Sequence, residues 1–264
     1  EVEFRDVTFR YPDGEENVLE HFNLKVPQGS MVAIVGETGA GKSTLVNLVC
    51  RFYEPTAGQV LIDGRDARER SQLWLHSHIG YVLQTPHLFS GTVLENLRYG
   101  NPNATMEEIE KAVCRVSADK VIERMEQGYD SQVGEGGDLL STGEKQLLSF
   151  ARALLADPRI LVLDEATSSV DTLTEKAIQE AIGTVTQGRT SFVIAHRLST
   201  VRDADVILVM RDGKVVERGS HRDLLAAHGY YYRLYTQQFV QESSDAAMKR
   251  SAGGADFSPE ASIS

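Results

Sequence analysis

Short, nearly unbroken apolar runs constrain this chain more than any other feature. They are MVAIV at 31–35, IGYVL at 79–83, ILVL at 160–163 and SFVIA at 191–195, with VILVM at 206–210 as a further candidate. Runs of this length suit strands covered on both faces, as in a parallel α/β sheet. Helical patterns alternate with them. Lys42 to Phe52 follows the first run. Residues 105–126 form a helical stretch that opens with Thr105 and Glu108 at capping-box spacing and carries Ile109, Ala112, Val113 and Val116 on one face. Glu144 to Ala156 and Thr174 to Ile182 are two more helices. The N-terminal stretch has period 2 instead: Val2, Phe4, Val7 and Phe9 with one slip, continued by Leu24 and Val26. Asp63-Gly64 after GQVLI is a turn signal, as is Asp212-Gly213 before KVVE. The expectation is a parallel-sheet α/β core with a small antiparallel sheet at the N-terminus. From about Gln241 the pattern stops, and SSDAAMKRSAGGADFSPEASIS reads as a disordered tail.

Charge excludes one class of partner. Lys+Arg 27 against Asp+Glu 38 leaves a net charge of −11, a poor balance for holding nucleic acid over a broad surface. One local anion site stays open, since a helix N-terminus needs no net positive charge. Cys50 and Cys114 have no CxxC spacing and read as reduced thiols. No stretch approaches the roughly 20 apolar residues of a membrane span. The chain opens inside a strand at Glu1, with no Met and no signal peptide, and so reads as a piece of a longer polypeptide.

Four of the apolar runs end in polar residues at their C-terminal ends, the edge where ligands of open α/β sheets sit. After the first, Gly36, Glu37, Thr38, Gly39, Ala40, Gly41, Lys42 and Ser43 match GxxxxGK[ST] between a strand and a helix. The glycines let successive N–H groups turn inward to phosphate oxygens, and the following helix adds its positive end. Lys42 would reach the β- and γ-phosphates and the Ser43 hydroxyl would ligate Mg²⁺. ILVL ends in Asp164-Glu165. Alone, that is a solvated strand terminus. Beside a phosphate loop, Asp164 becomes the acid that holds Mg²⁺ and Glu165 the base that polarises an attacking water. Gln84 and His196 end the other two runs, placed to touch the metal or the water and the γ-phosphate respectively.

Leu140-Ser141-Thr142-Gly143-Glu144 opens a helix. Locally, Ser141 caps it and Glu144 returns the bond. The same capped terminus, with Gly143 permitting close approach, also suits a second anion.

In this order, phosphate loop, Gln, LSTGE, apolar strand with DE, then His, the chain resembles a nucleotide-binding domain of an ATP-binding-cassette (ABC) transporter over roughly residues 1–239. The resemblance implies a P-loop NTPase parallel-sheet core, an N-terminal antiparallel β subdomain and an α-helical signature subdomain at about 86–157. Residues 240–264 form the tail, and a transmembrane domain is expected upstream. Tyr11 is similar to the residue that stacks on adenine, and Gly36 to Thr44 to the Walker A loop. Gln84 resembles the Q-loop, Leu140 to Glu144 the signature with Ser141 and Gly143 facing phosphate. Ser169-Val170-Asp171 resembles the D-loop and His196 the switch histidine. FSGTVLENLRYG, VGEGGDLLS, DEATSSVD and IAHRLSTV are most similar to exporters whose membrane and nucleotide domains share one chain. What this implies is an ATPase with ATP and Mg²⁺ as ligands, Glu165, His196 and Lys42 as catalytic residues, and head-to-tail pairing with a second nucleotide-binding domain. The partners are then transmembrane domains and not nucleic acid, at the cytoplasmic face of a membrane. The signature departs from the commoner LSGGQ at Thr142 and Glu144. Either Glu144 approaches the partner's γ-phosphate and weakens that site, as in a heterodimer, or it points back into its capping box.

Overall fold

The computed structural model describes residues 1–165, 172–195, 198–237 and 240. Strands β1 (Val2–Phe9), β2 (Leu19–Val26) and β3 (Met31–Val35) lead into helix α1 (Lys42–Val49). Next come β4 (Ala57–Ile62), β5 (Arg65–Asp66), α2 (Gln72–His78) and β6 (Ile79–Val82). A helical segment follows: α3 (Val93–Arg98), α4 (Met106–Arg115), α5 (Asp119–Glu123) and α6 (Thr142–Ala156). The chain then alternates through β7 (Ile160–Asp164), α7 (Thr172–Thr186), β8 (Thr190–Ile194), α8 (Leu198–Arg202) and β9 (Val206–Arg211). Strand β10 (Lys214–Gly219) and α9 (His221–Ala226) precede a last helical stretch at 230–237.

Two sheets result. One is antiparallel, in the order β2-β1-β4-β5; the other runs β10-β9-β3-β8-β7-β6, parallel except for the antiparallel edge β10. The slip in the N-terminal alternation is a register shift between Phe4 and Val7, with Asp6 at φ 51. Both Asp-Gly turns are tight hairpins with positive φ at both central residues (51 and 74, 49 and 72), the backbone that favours this pair.

The parallel sheet divides the core in two. Val32, Ile34, Val162, Phe192 and Leu208 face α1 and the antiparallel sheet with Phe4, Phe9 and Leu45. Ala33, Val35, Leu161, Leu163, Val193 and Ile207 face the helices on the other side, including Phe150 and Ile178. Period-2 strands apolar on both faces are therefore what the buried runs encode. β6 departs from that reading. It is the sheet's edge, is only half-buried and stops at Val82, so Leu83 is 48% exposed and Gln84 lies on a bend beyond the strand.

Two helices are shorter than their sequence patterns. α1 stops at Val49 because Arg51 turns left-handed (φ 53) and Phe52 N–H returns to Asn47 C=O at 2.9 Å, a Schellman closure. The stretch at 105–126 is broken by Ser117 at φ 57 into α4 and α5, although its Thr105–Glu108 capping box forms. Cys50 and Cys114 are both free thiols. Among the described residues no helix is long and apolar enough to cross a membrane.

Candidate functional site: a phosphate loop facing two carboxylates

The C-terminal ends of β3 and β7 carry the chemistry. β3 leaves the sheet at Gly36, and the loop returns as α1 with Gly41 at its N-cap in a left-handed conformation (φ 95). No side chain caps this helix, so its first amides remain available to an anion. Gly36 sits at φ 151, and a Cβ there would lie 2.3 Å from the Met210 carbonyl oxygen of β9, so both conformation and space call for glycine. Glu37, Thr38, Gly39 and Ser43 are exposed along the loop while Ala40 and Thr44 are buried beneath it. Gly213 N–H holds Ala40 C=O at 3.2 Å, tying the loop to the β9–β10 hairpin.

Lys42 is 7% exposed and its Nζ donates to the carbonyls of Gly36 at 2.7 Å and Glu37 at 2.8 Å. Burial pulls its pKa below the ordinary lysine value, and the Asp164 carboxylate partly restores it. Asp164 shows the mirror image: burial raises its carboxyl above the usual range and Lys42 pulls it back down. Each charge feels the other across the sheet edge, so the lysine of the loop and the acid of β7 share one electrostatic site.

Glu165 is 2% exposed, with its N–H donating to Ile194 C=O of β8 at 3.2 Å. Its Oε1 accepts from the Thr200 hydroxyl of α8. Thr200 falls within the IAHRLSTV stretch, but only His196 of that stretch was given a role. Tyr11, just beyond β1, has its hydroxyl 2.9 Å from Thr44 Oγ1 and its ring edge-to-face with Phe9 and with Tyr53, 4.9 and 5.0 Å between centroids. Tyr53, 38% exposed, extends this aromatic wall; its place after α1 was the overlooked signal. Tyr230 in the C-terminal helical stretch also reaches the loop, donating to Glu37 Oε1 at 2.7 Å.

Ser43, Gln84 and Asp164 would offer hydroxyl, amide and carboxylate oxygens. Such a donor set with one carboxylate fits Mg²⁺, which binds few protein oxygens and takes the rest from phosphate and water. Among the described residues, no group of three or more His, Cys, Asp or Glu could hold a metal. His196 and Asp171, with Ser169 and Val170, lie outside the described residues.

The signature sits elsewhere. Ser141 Oγ accepts from Glu144 N–H at 3.3 Å and Ser141 N–H donates to Glu144 Oε2 at 2.8 Å, a complete capping box. The other oxygen of Glu144 pairs with Arg124, the C-cap of α5. In this chain the Glu144 carboxylate is thus turned back into its own helix start. Ser141 and Glu144 line a 720 Å³ groove with Lys120, Arg124, Leu173 and Lys176, and no residue of the phosphate loop or of the Asp164-Glu165 pair borders it. At the amide end of α6, Ser141 is exposed and Gly143 buried, and the groove beside Ser141 takes no residue from the chain's own loop.

A phosphate loop on β3, an acid pair on β7 and a distant capped glycine helix match a family model described as ABC transporter, over residues 19–168. The chain belongs to the ABC transporter family. It is an ABC ATPase domain. It is 51% identical over 243 residues to a probable multidrug resistance ABC transporter ATP-binding/permease protein of Bacillus subtilis (strain 168), covering 92% of this chain and 36% of that one. It is 52% identical over 233 residues to a fatty acid ABC transporter ATP-binding/permease protein of Mycobacterium bovis, covering 88% and 37%. The solved structure of a bacterial Atm1-family ABC exporter with ATP bound is 43% identical with a TM-score of 0.83, covering 90% of this ABC ATPase chain and 41% of the exporter. The chain thus spans little more than a third of the length of these two relatives.

Proposed function

We propose that this domain binds MgATP at the β3–β7 edge, pairs head-to-tail with a second nucleotide-binding domain, and hydrolyses ATP to drive export through transmembrane domains at the cytoplasmic face of a membrane. The observation that carries this reading is geometric: the phosphate loop leaves β3 with Lys42 buried beneath it, at the same sheet edge where β7 ends in Asp164 and Glu165. Lys42 and the amides from Gly39 to Thr44 hold the phosphates. Ser43, Gln84 and Asp164 hold Mg²⁺, which neutralises phosphate charge when bound. Glu165 accepts the proton of the attacking water, His196 contacts the γ-phosphate and Tyr11 supports the adenine. Ser141 and Gly143, with Asp171, complete the partner's site. This division of labour explains why the groove beside the signature takes no residue from the chain's own loop. Residues 1–239 form the ATPase unit, with the helical part at about 86–157 carrying the signature.

Glu165→Gln tests it. ATP binding should persist while turnover falls at least about 100-fold, as expected on losing a general base. ATP-dependent dimers should then accumulate in size-exclusion chromatography. Near-normal turnover would remove Glu165 from the mechanism.

A further inference from the structure

We propose that Thr200 is a positioning residue for hydrolysis, holding the carboxylate of Glu165 in the orientation that addresses the attacking water. The proposal rests on Glu165 being the general base, and adds to that reading the residue that aims it.

A carboxylate at the end of a strand has several torsions between its backbone and its reacting oxygen. Two restraints are seen among the described residues. The Glu165 backbone is tied to β8 through its N–H on Ile194 C=O. The side chain is tied to α8 by the Thr200 hydroxyl, which donates to Oε1. Anchoring one oxygen fixes the plane of the carboxylate, and so the direction in which Oε2 is presented. The anchor is itself rigid. Thr200 is 3% exposed and Val201 beside it is equally buried, while Glu165 is 2% exposed, so neither partner can exchange its bond for bulk water. A hydroxyl donated to a buried carboxylate is a charge-assisted bond, among the stronger kinds. The second acceptor near Thr200 Oγ1, Gln179 Oε1 of α7, is 3.4 Å away and competes poorly for the single hydroxyl proton.

The position in the fold strengthens the assignment. β8 ends at Ile194, α8 begins at Leu198, and Thr200 lies in the middle of that short helix. α8 therefore carries a donor back toward the carboxylate edge from the strand that separates β7 from β3. A base whose direction is held by a hydroxyl loses rate when the hydroxyl goes, because misplacement of a reacting group by about 1 Å can reduce turnover on the order of 100-fold. Nucleotide affinity, which rests on the loop, is not affected.

The experiment compares Thr200→Val, nearly the same shape without the donor, with Thr200→Ser, which keeps it, using this chain. Turnover at saturating MgATP should fall about 10- to 100-fold in Thr200→Val while KM and the Kd for ATP stay within about twofold, and Thr200→Ser should recover to within about threefold of the parent. Combined with Glu165→Gln, Thr200→Val should cause no further loss, since both act through one group. Thermal unfolding checks the fold, and if Thr200→Val is unfolded, Thr200→Ala against Thr200→Ser makes the same comparison. A Thr200→Val protein with turnover within twofold of the parent overturns the proposal, as does a Thr200→Ser protein as slow as the valine, or a further loss in the double variant. A fast Glu165→Gln protein would instead overturn the base assignment, and this one with it. Slow Glu165→Gln with fast Thr200→Val leaves the base in place and removes Thr200 alone.

Discussion

Gly36 and Gly39 are both glycines of the phosphate loop with positive φ, yet an added methyl meets different surroundings at each. At Gly36 the ideal Cβ lies 2.3 Å from Met210 O, 3.2 Å from Met210 C and 3.3 Å from the Ala40 methyl. The first two belong to the backbone of β9, which is paired with β3 through Val35 and Val209, so the clash is relieved only by parting hydrogen-bonded strands. A strained φ of 151 adds to this. Backbone strain of about 1–3 kcal/mol and overpacking of about 1–3 kcal/mol sum to roughly 4 kcal/mol for Gly36→Ala. For a chain of this size that is a fall in Tm on the order of 10 °C. At Gly39, φ is 85 and nothing lies within 4 Å of the ideal Cβ. Only the left-handed backbone is charged to Gly39→Ala, about 1–2 kcal/mol. Circular dichroism melts of the two variants in parallel, with ATP binding measured for each, provide the assay. Equal destabilisation, or a Gly36→Ala cost below about 1 kcal/mol, would refute the reasoning that β9 leaves no space behind the loop.

Tyr11→Phe should cost about 1 kcal/mol of stability through the lost Thr44 bond, while Tyr11→Ala should also weaken ATP binding by about 1–2 kcal/mol in titration calorimetry; unchanged affinity in the alanine variant would confine Tyr11 to packing. Asp66 caps the turn after β5, accepting from Arg68 N–H at 2.9 Å, and its hydrogen bonds from the Arg68 side chain hold its carboxyl below the usual range. A depressed folded pKa gives stability that is present above the unfolded value and lost as pH falls through the folded one, so Asp66→Ala should cost about 1–2 kcal/mol by urea denaturation at neutral pH and progressively less toward about pH 3; a pH-independent penalty would contradict this. With both carboxylate oxygens engaged by Ser141 and Arg124, Glu144→Gln should lose at most about 1 kcal/mol of stability and leave ATP-driven association unchanged at low and high salt; a salt-sensitive tightening would place Glu144 against the partner's phosphate instead.

The inner strands of the sheet were legible because β3, β7 and β8 are apolar on both faces and each runs into a residue of a different chemical kind. The same logic brought the phosphate loop and the Asp164-Glu165 pair to one edge. The short helices were harder to see. α3 announces itself with the spacing Thr92-x-x-Glu95, and its capping box forms, but six residues give too little periodicity to register. The break at Ser117 has no glycine to signal it, since a serine occupies the left-handed position. The contacts that adjust the site were invisible for a different reason. Thr200 meets Glu165 across 35 positions and Tyr230 meets Glu37 across 193, and although Thr200 lies within IAHRLSTV, such pairings follow from tertiary packing that no local stretch records.

β8 lies between the strand that bears the loop and the strand that bears the acids, with Ile34 and Asp164 both level with Ile194. Two steps of about 4.8 Å put the opposing rims roughly 9.6 Å apart. That aperture is fixed by backbone ladders, not by any residue at the rim. Replacing Lys42, Asp164 or Glu165 alters what the rims do to a ligand, but the width between them changes only if β8 itself is levered out of the sheet.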